Sequence, residues 1–179
     1  MRQRKDIRLF FALWPDAALR QQLHDAACTV PLNAGARRVA HTNLHLTLHF
    51  IGNVYFAQME CLQAEARRVD ARAFKLNLDC QGIFNRPRVA WLGCTETPGA
   101  LNDLHRQLGT RLQSCDYQPE ARPYCPHVTV ARKIGPLDPI DSTASFVPIV
   151  WSVTEFALIE VLASENGVQY RAVETYPLT

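Results

Sequence analysis

Lysine is scarce in this chain: three occur against sixteen arginines in 179 residues. Other absences narrow the possibilities further. No apolar run approaches the ~20 residues that a membrane-spanning helix needs. The opening Met1–Asp6 lacks the apolar segment of a signal peptide, so a cytoplasmic protein without a membrane partner is expected. No low-complexity tract or separable linker interrupts the sequence, which predicts one domain over residues 1–179. The six cysteines (Cys28, Cys61, Cys80, Cys94, Cys115 and Cys125) contain no C-x-x-C pair. In an unsignalled chain they read as reduced, mostly buried thiols, neither staples nor metal ligands. A net charge of +2 excludes a wholesale basic surface for long duplexes. The arginine bias suits phosphorylated ligands, because the planar guanidinium fork matches phosphate, with genome base composition as a competing cause.

What is present is a repeated tetrad. Leu44-His45-Leu46-Thr47-Leu48 and Pro126-His127-Val128-Thr129-Val130 each set His-x-Thr-x in an apolar run, with the histidines 82 residues apart. Strand alternation puts His45, Thr47 and His49 on one face, and Leu44, Leu46, Leu48 and Phe50 on the other. The second segment repeats this, with His127, Thr129 and Ala131 opposite Val128 and Val130. The exits match too: Ile51-Gly52 and Ile134-Gly135. A lone segment of this kind is an ordinary half-buried strand; a matched pair points to a symmetric site.

The surrounding chain also reads as a unit used twice. A strand at Ile7–Trp14, a helix carrying Leu19, Leu23, Ala26, Ala27 and Val30, and the first motif strand form one set. A strand at Arg88–Cys94, a helix carrying Leu101, Leu104, Leu108 and Leu112, and the second motif strand form the other. Between them lie a helix near Gln58–Ala71 and a strand at Phe74–Cys80. A hairpin of Glu155–Ala163 and Val168–Tyr176 turns at Asn166-Gly167. Proline-rich stretches at Gln118–Pro126 and Gly135–Pro148 read as exposed loops. The expectation is an α+β fold of two pseudo-symmetric lobes, each an antiparallel sheet with helices packed outside, facing a central cleft.

Two imidazoles and two hydroxyls suit in-line attack on a phosphodiester. Histidine titrates near 6.5, so one ring of a pair can accept a proton from water while the other donates to the leaving oxygen. Hydroxyls at Thr47 and Thr129 would bind the non-bridging oxygens. No cofactor is needed, and the rate optimum is expected around neutrality. Arg132 is the candidate for balancing phosphate charge. Its odd offset from His127 points it away on a regular strand, so it reaches the site only if the strand bulges near Ala131. Histidine also binds metals, and His41, His45 and His49 are spaced by four. No acidic residue joins that cluster, so metal is the weaker reading. His49 reads as cleft wall or packing, and His24 and His105 as surface or packing residues.

With those residues in place, the chain resembles the two-histidine phosphoesterase superfamily, most closely the bacterial and archaeal RNA 2′,3′-cyclic phosphodiesterases (the ThpR or LigT-like family). Arg8-Leu9-Phe10-Phe11-Ala12-Leu13, Asn43 to Gly52, Pro87 to Gly93 and Arg122 to Arg132 all resemble its segments in order, whereas the last forty-odd residues match loosely. The resemblance implies hydrolysis of RNA 2′,3′-cyclic phosphate ends to 2′-phosphate ends, together with the reverse 2′–5′ ligation. It assigns His45 as proton donor and His127 as proton acceptor, and expects a monomer with no metal. Two other readings stay open: a relative acting on a small cyclic or 2′–5′-linked nucleotide, and a non-catalytic RNA-binding module.

Overall fold

The computed structural model describes residues 7–135, 147–165 and 167–179. Its strands are β1 (Ile7–Leu13), β2 (Arg37–Arg38), β3 (Leu46–Val54), β4 (Phe74–Leu78), β5 (Cys80–Phe84), β6 (Val89–Gly93), β7 (His127–Arg132), β8 (Ile149–Val153), β9 (Glu155–Ser164) and β10 (Gly167–Pro177). The helices are α1 (Ala17–Thr29), α2 (Phe56–Ala66) and α3 (Gly99–Leu112). Eight strands form an antiparallel sheet in the order β10-β9-β1-β3-β7-β6-β5, with β2 also on β7, while β4 and β8 pair separately. The α+β class and the antiparallel pairing follow the alternation in the sequence. Strand β8 was not anticipated, and β5 follows β4 after one residue. The proline-rich residues 136–146 and Asn166 of the expected hairpin turn lie outside the described residues.

The sheet has one thick face and one thin one. Odd residues of β1 (Leu9, Phe11, Leu13) join Leu46, Leu48, Val128 and Val130 in the main core with the three helices. On the other face Phe10, Ala12, Ala157 and Ile159 form a small cluster, flanked by Trp14, Val161 and Tyr170. Helix α3 contributes the expected stripe, with Leu101, Leu104, Leu108 and Leu112 all fully buried. Each such side chain adds roughly 1.5–3 kcal/mol by leaving water. Leu104→Ala is therefore expected to cost about 2–5 kcal/mol in urea-denaturation free energy, because its neighbours cannot fill the void.

Helix α1 begins where the sequence signals it: the Asp16 side chain accepts a hydrogen bond from the Leu19 amide at 2.8 Å. Its far end is closed by an arginine from β2. The Arg38 guanidinium donates to the carbonyls of Ala27, Cys28 and Val30, satisfying groups that a helix terminus leaves free. The cysteine reading needs correction. Cys61 and Cys115 form a disulfide, since α2 packs against the end of α3 and brings their Cα atoms to 5.7 Å. Cys28 and Cys125 are exposed, and only Cys80 and Cys94 are partly covered free thiols. A 54-residue separation carries no pairing signal in sequence. Among the described residues no helix is long and apolar enough to cross a membrane.

Candidate active site

Strands β3 and β7 lie next to each other but share only one register pair, Leu46 with Val128. Counting outward in antiparallel sense sets Thr47 beside His127 and His45 beside Thr129. The two tetrads thus meet back to back at the centre of the sheet, each histidine next to the other tetrad's threonine. Leu46 and Val128 are both fully buried, so the polar members share the opposite face.

The two imidazoles are held by the same device. Nδ1 of His45 lies 2.7 Å from the Asn43 carbonyl, and Nδ1 of His127 lies 2.7 Å from the Cys125 carbonyl. A carbonyl can only accept, so each Nδ1 carries the proton and donates it, leaving Nε2 as the working nitrogen of the neutral ring. Nε2 of His45 sits 3.1 Å from the Thr47 hydroxyl. Asn43 is itself fixed by its side-chain amide donating to the Val168 carbonyl at 2.8 Å.

Neither strand runs regularly past its tetrad. Against β1 the register passes from Thr47 to His49, so Leu48 is an extra residue; against β6 it passes from Thr129 to Ala131, so Val130 is extra. Both bulges fall three residues after the motif histidine. Each turns two consecutive residues inward: Leu48 and His49 on β3, Val130 and Ala131 on β7. This corrects the faces expected for His49 and Ala131. It also resolves the parity of Arg132, which leaves the strand on the cleft side as an exposed residue. Phe50 is its positional counterpart on β3, five residues after His45, and is 46% exposed.

A cleft of about 460 Å³ opens here, lined by Thr47, Phe50, His127, Thr129 and Arg132 among others. His45 adjoins it through Thr47. A hollow of the same volume between Ile7, Phe56 and Met59 contains neither tetrad. Aromatic rings crowd both histidines: Phe10, Tyr170 and Trp14 around His45 at 4.7, 5.2 and 5.9 Å between centroids, Phe84 and Trp91 around His127 at 5.0 and 6.5 Å. Trp91 lies over Gly82 and Gly93; a Cβ on Gly93 would come within 2.8 Å of the indole.

This crowding sets the electrostatics. Burial pushes His45 down to about 4, against the pull of the Asn43 carbonyl, and the charges of Arg132 and His127 lower it further. His127 is likewise held below its ordinary value by burial, opposed by the Cys125 carbonyl and reinforced by Arg122 and Arg132. Both rings are therefore neutral at pH 7 before an anion arrives.

His49 is cleft wall and packing, as its sequence context suggested, whereas its partners Tyr117, His105 and Tyr124 had no signal in the sequence. His49 is 4% exposed, its Nε2 donating to the His105 carbonyl at 2.8 Å and its Nδ1 accepting from the Tyr117 hydroxyl at 3.2 Å. His105 stacks between His49 and Tyr124 at centroid distances of 4.1 and 3.8 Å. Tyr124 donates to the Thr47 carbonyl at 3.1 Å, which ties the lead-in of the second tetrad to the first. Gly109 leaves room for this stack, since a Cβ there would sit 2.8 Å from His49 Cε1. His105 thus lines the cleft, whereas His24 pairs edge-on with His41 at 5.4 Å. His41, His45 and His49 face three different surroundings. Among the described residues no three His, Cys, Asp or Glu side chains come together as a metal-binding group.

Comparison with known proteins places the chain in a family. The model of the 2′-5′ RNA ligase superfamily matches residues 14–165. The chain is 35% identical over 178 residues to the RNA 2′,3′-cyclic phosphodiesterase of Escherichia coli K12, covering 96% of this chain and 97% of that one. It is 32% identical over 136 residues to the protein of the same name from Methanothermobacter thermautotrophicus, covering 73% of each. The crystal structure of apo E. coli LigT superposes with a TM-score of 0.85 at 30% identity, over 98% of this chain and 99% of that one. The same protein complexed with 3′-AMP gives 0.84 at 32%, with the same coverage. The chain belongs to the 2′-5′ RNA ligase superfamily.

Proposed function

We propose that this chain is an RNA 2′,3′-cyclic phosphodiesterase that opens the cyclic phosphate at an RNA end to a 2′-phosphate. Its whole length acts as one two-lobed unit around the cleft. The observation that carries this reading is the identical seating of the two imidazoles, each with Nδ1 2.7 Å from the carbonyl two residues earlier. The cyclic phosphate binds between the two Nε2 edges. Thr47 and Thr129 donate hydroxyl hydrogen bonds to its non-bridging oxygens, and Arg132 balances its charge. His127 Nε2 takes a proton from the attacking water as the new P–O bond forms. The bond to the 3′-oxygen breaks, and His45 Nε2–H protonates that leaving oxygen. One water is consumed, and a 2′-phosphomonoester and a 3′-hydroxyl result. A 5′-hydroxyl in place of water, with the same proton flow, gives 2′–5′ ligation.

His45 must gain its proton to serve as donor. An anionic phosphodiester beside a buried ring favours the imidazolium, so substrate binding itself loads the acid. The Thr47 hydroxyl, which faces His45 Nε2 in the free protein, then turns to the phosphate. The names of the relatives support the cyclic phosphate as substrate. The test is to mix the protein with a nucleoside 2′,3′-cyclic phosphate and with an oligoribonucleotide ending in one. Conversion of cyclic diester to linear monoester, followed by phosphorus NMR, is expected; an intact diester in both samples overturns the reading.

The threonines should matter less than the histidines. Thr47→Val or Thr129→Val removes one hydrogen bond to a charged acceptor, worth about 1.5–3 kcal/mol, a loss of roughly ten- to a hundredfold in kcat/KM. Unchanged kinetics in the double variant would reduce both residues to strand formers.

A further inference from the structure

Among the described residues, Arg37 is the cationic one that the fold sets directly opposite the cleft arginine. Strand β2 consists of Arg37 and Arg38 alone, with Arg37 registered across from Arg132 and Arg38 across from Ala131. The Val39 amide continues the contact, donating to the carbonyl of the bulged Val130 at 2.9 Å. Register partners share a face. Arg38 turns to the back, where it closes α1, and its partner Ala131 is fully buried. Arg37 and Arg132 therefore leave on one face of the sheet, both exposed, and Arg132 lines the cleft.

Two like charges directly across a ladder weaken the pairing they sit on. Among the described residues no ion pair offsets them: those present engage Arg67, Arg68, Arg106, Arg111, Arg122 and Arg171, and neither Arg37 nor Arg132. Neither guanidinium hydrogen-bonds to a described residue either. Two forks with no ion-pair partner among the described residues, about 5 Å apart at their Cα atoms, suit more than one phosphate. They are also inequivalent. Arg132 acts on the titration of both His45 and His127, whereas Arg37 figures in neither. Arg37 sits on β2, one strand over from Arg132 and outside both tetrads.

We propose that Arg37 holds the phosphodiester on the 5′ side of the terminal nucleotide, so that the site prefers the end of an RNA strand over a free cyclic nucleotide. This rests on the cyclic-phosphodiesterase reading and extends it to the length of the substrate. Arg132 takes the terminal cyclic phosphate, and Arg37 the first internucleotide phosphate behind it. A mononucleoside cyclic phosphate has no group for Arg37 to bind.

The test measures kcat/KM for adenosine 2′,3′-cyclic phosphate and for a tetraadenylate ending in the same group, across a series of salt concentrations. Wild type, Arg37→Gln and Arg37→Lys are compared. Wild type is expected to favour the tetramer, and Arg37→Gln to lose roughly tenfold of that preference, the scale of one charge-assisted contact. The salt slope for the tetramer should fall by about one, as expected when one phosphate contact is lost. Arg37→Lys should restore most of both. A tetramer-to-monomer ratio unchanged in Arg37→Gln would overturn the subsite while leaving the phosphodiesterase reading intact. So would an equal loss on both substrates, which would place Arg37 on the reacting phosphate or in the fold. A wild-type protein inert on both would overturn the reading beneath it as well.

Discussion

His127→Ala is expected to lower turnover of a cyclic-phosphate-ended oligoribonucleotide by roughly 10²–10⁴, and His45→Ala by a comparable factor, since each positioned proton transfer contributes on that scale. That corresponds to about 3–5 kcal/mol of barrier for each ring. The two losses should not multiply. With either ring gone the proton relay is already broken, so the double variant should be little slower than the worse single one. The fold should survive, because both imidazoles are only half-buried and their Nδ1 partners are carbonyls of their own lead-in segments. Pre-steady-state rates combined with thermal unfolding check both halves. A His127→Ala protein with near wild-type rates would remove the two-histidine mechanism, and one that no longer unfolds cooperatively would turn the residue into a structural one.

The pH profile should lie further to the acid side than two free histidines would place it. The sequence suggested an optimum around neutrality, but burial and neighbouring charge lower both rings, His45 to about 4. The reactive form carries one proton on the pair. In the free protein that form appears as pH falls through the higher value, which lies below 6.5, and is lost when the second ring charges. The curve of kcat/KM should therefore be bell-shaped, with its alkaline limb below 6.5 and its acid limb near 4, both belonging to the pair. Bound phosphate favours the charged rings, so the kcat curve should sit at higher pH. Arg132→Gln removes a positive charge that lowers both rings. Their values must then rise, and the alkaline limb of kcat/KM must move up in pH even as the rate falls. Titration of the histidine Cε1–H resonances, with and without inorganic phosphate, reads the same shifts directly. A His45 that titrates near 6.5 in the free protein would contradict this account.

Most of the site was legible in the sequence because strand periodicity carries it. The alternation through His45-Leu46-Thr47 and His127-Val128-Thr129 fixes which side chains share a face, and the structure keeps both. The odd offset of Arg132 made its place at the site conditional on a bulge near Ala131, and the register puts one at Val130. The matching bulge at Leu48 was not read, because nothing on that strand demanded one, and so His49 was set on the wrong face. Contacts made across the fold left no trace at all. His105 falls between Leu104 and Leu108 of a regular amphipathic helix, and only packing brings it between His49 and Tyr124. The Cys61–Cys115 disulfide is of the same kind. The carbonyls of Asn43 and Cys125 are backbone groups, whose aim depends on chain direction and not on residue type.

The repeated tetrad gains meaning from that geometry. One strand can present one histidine and one threonine to a phosphate; in the proposed mechanism a second copy, meeting it at Leu46 and Val128, is the opposite proton carrier. Divergence past the bulges then separates the two copies, giving an arginine at one exit and a phenylalanine at the other.

End-group analysis tests the central claim most directly. An oligoribonucleotide ending in a 2′,3′-cyclic phosphate is incubated with the protein in excess EDTA, and the position of the product phosphate is determined. Two histidines that manage the protons, with His45 protonating the 3′-oxygen, predict a 2′-phosphate formed at the same rate with or without the chelator. A 3′-phosphate would contradict the assigned direction of proton flow. Activity abolished by EDTA and restored by a divalent cation would contradict the two-histidine mechanism itself.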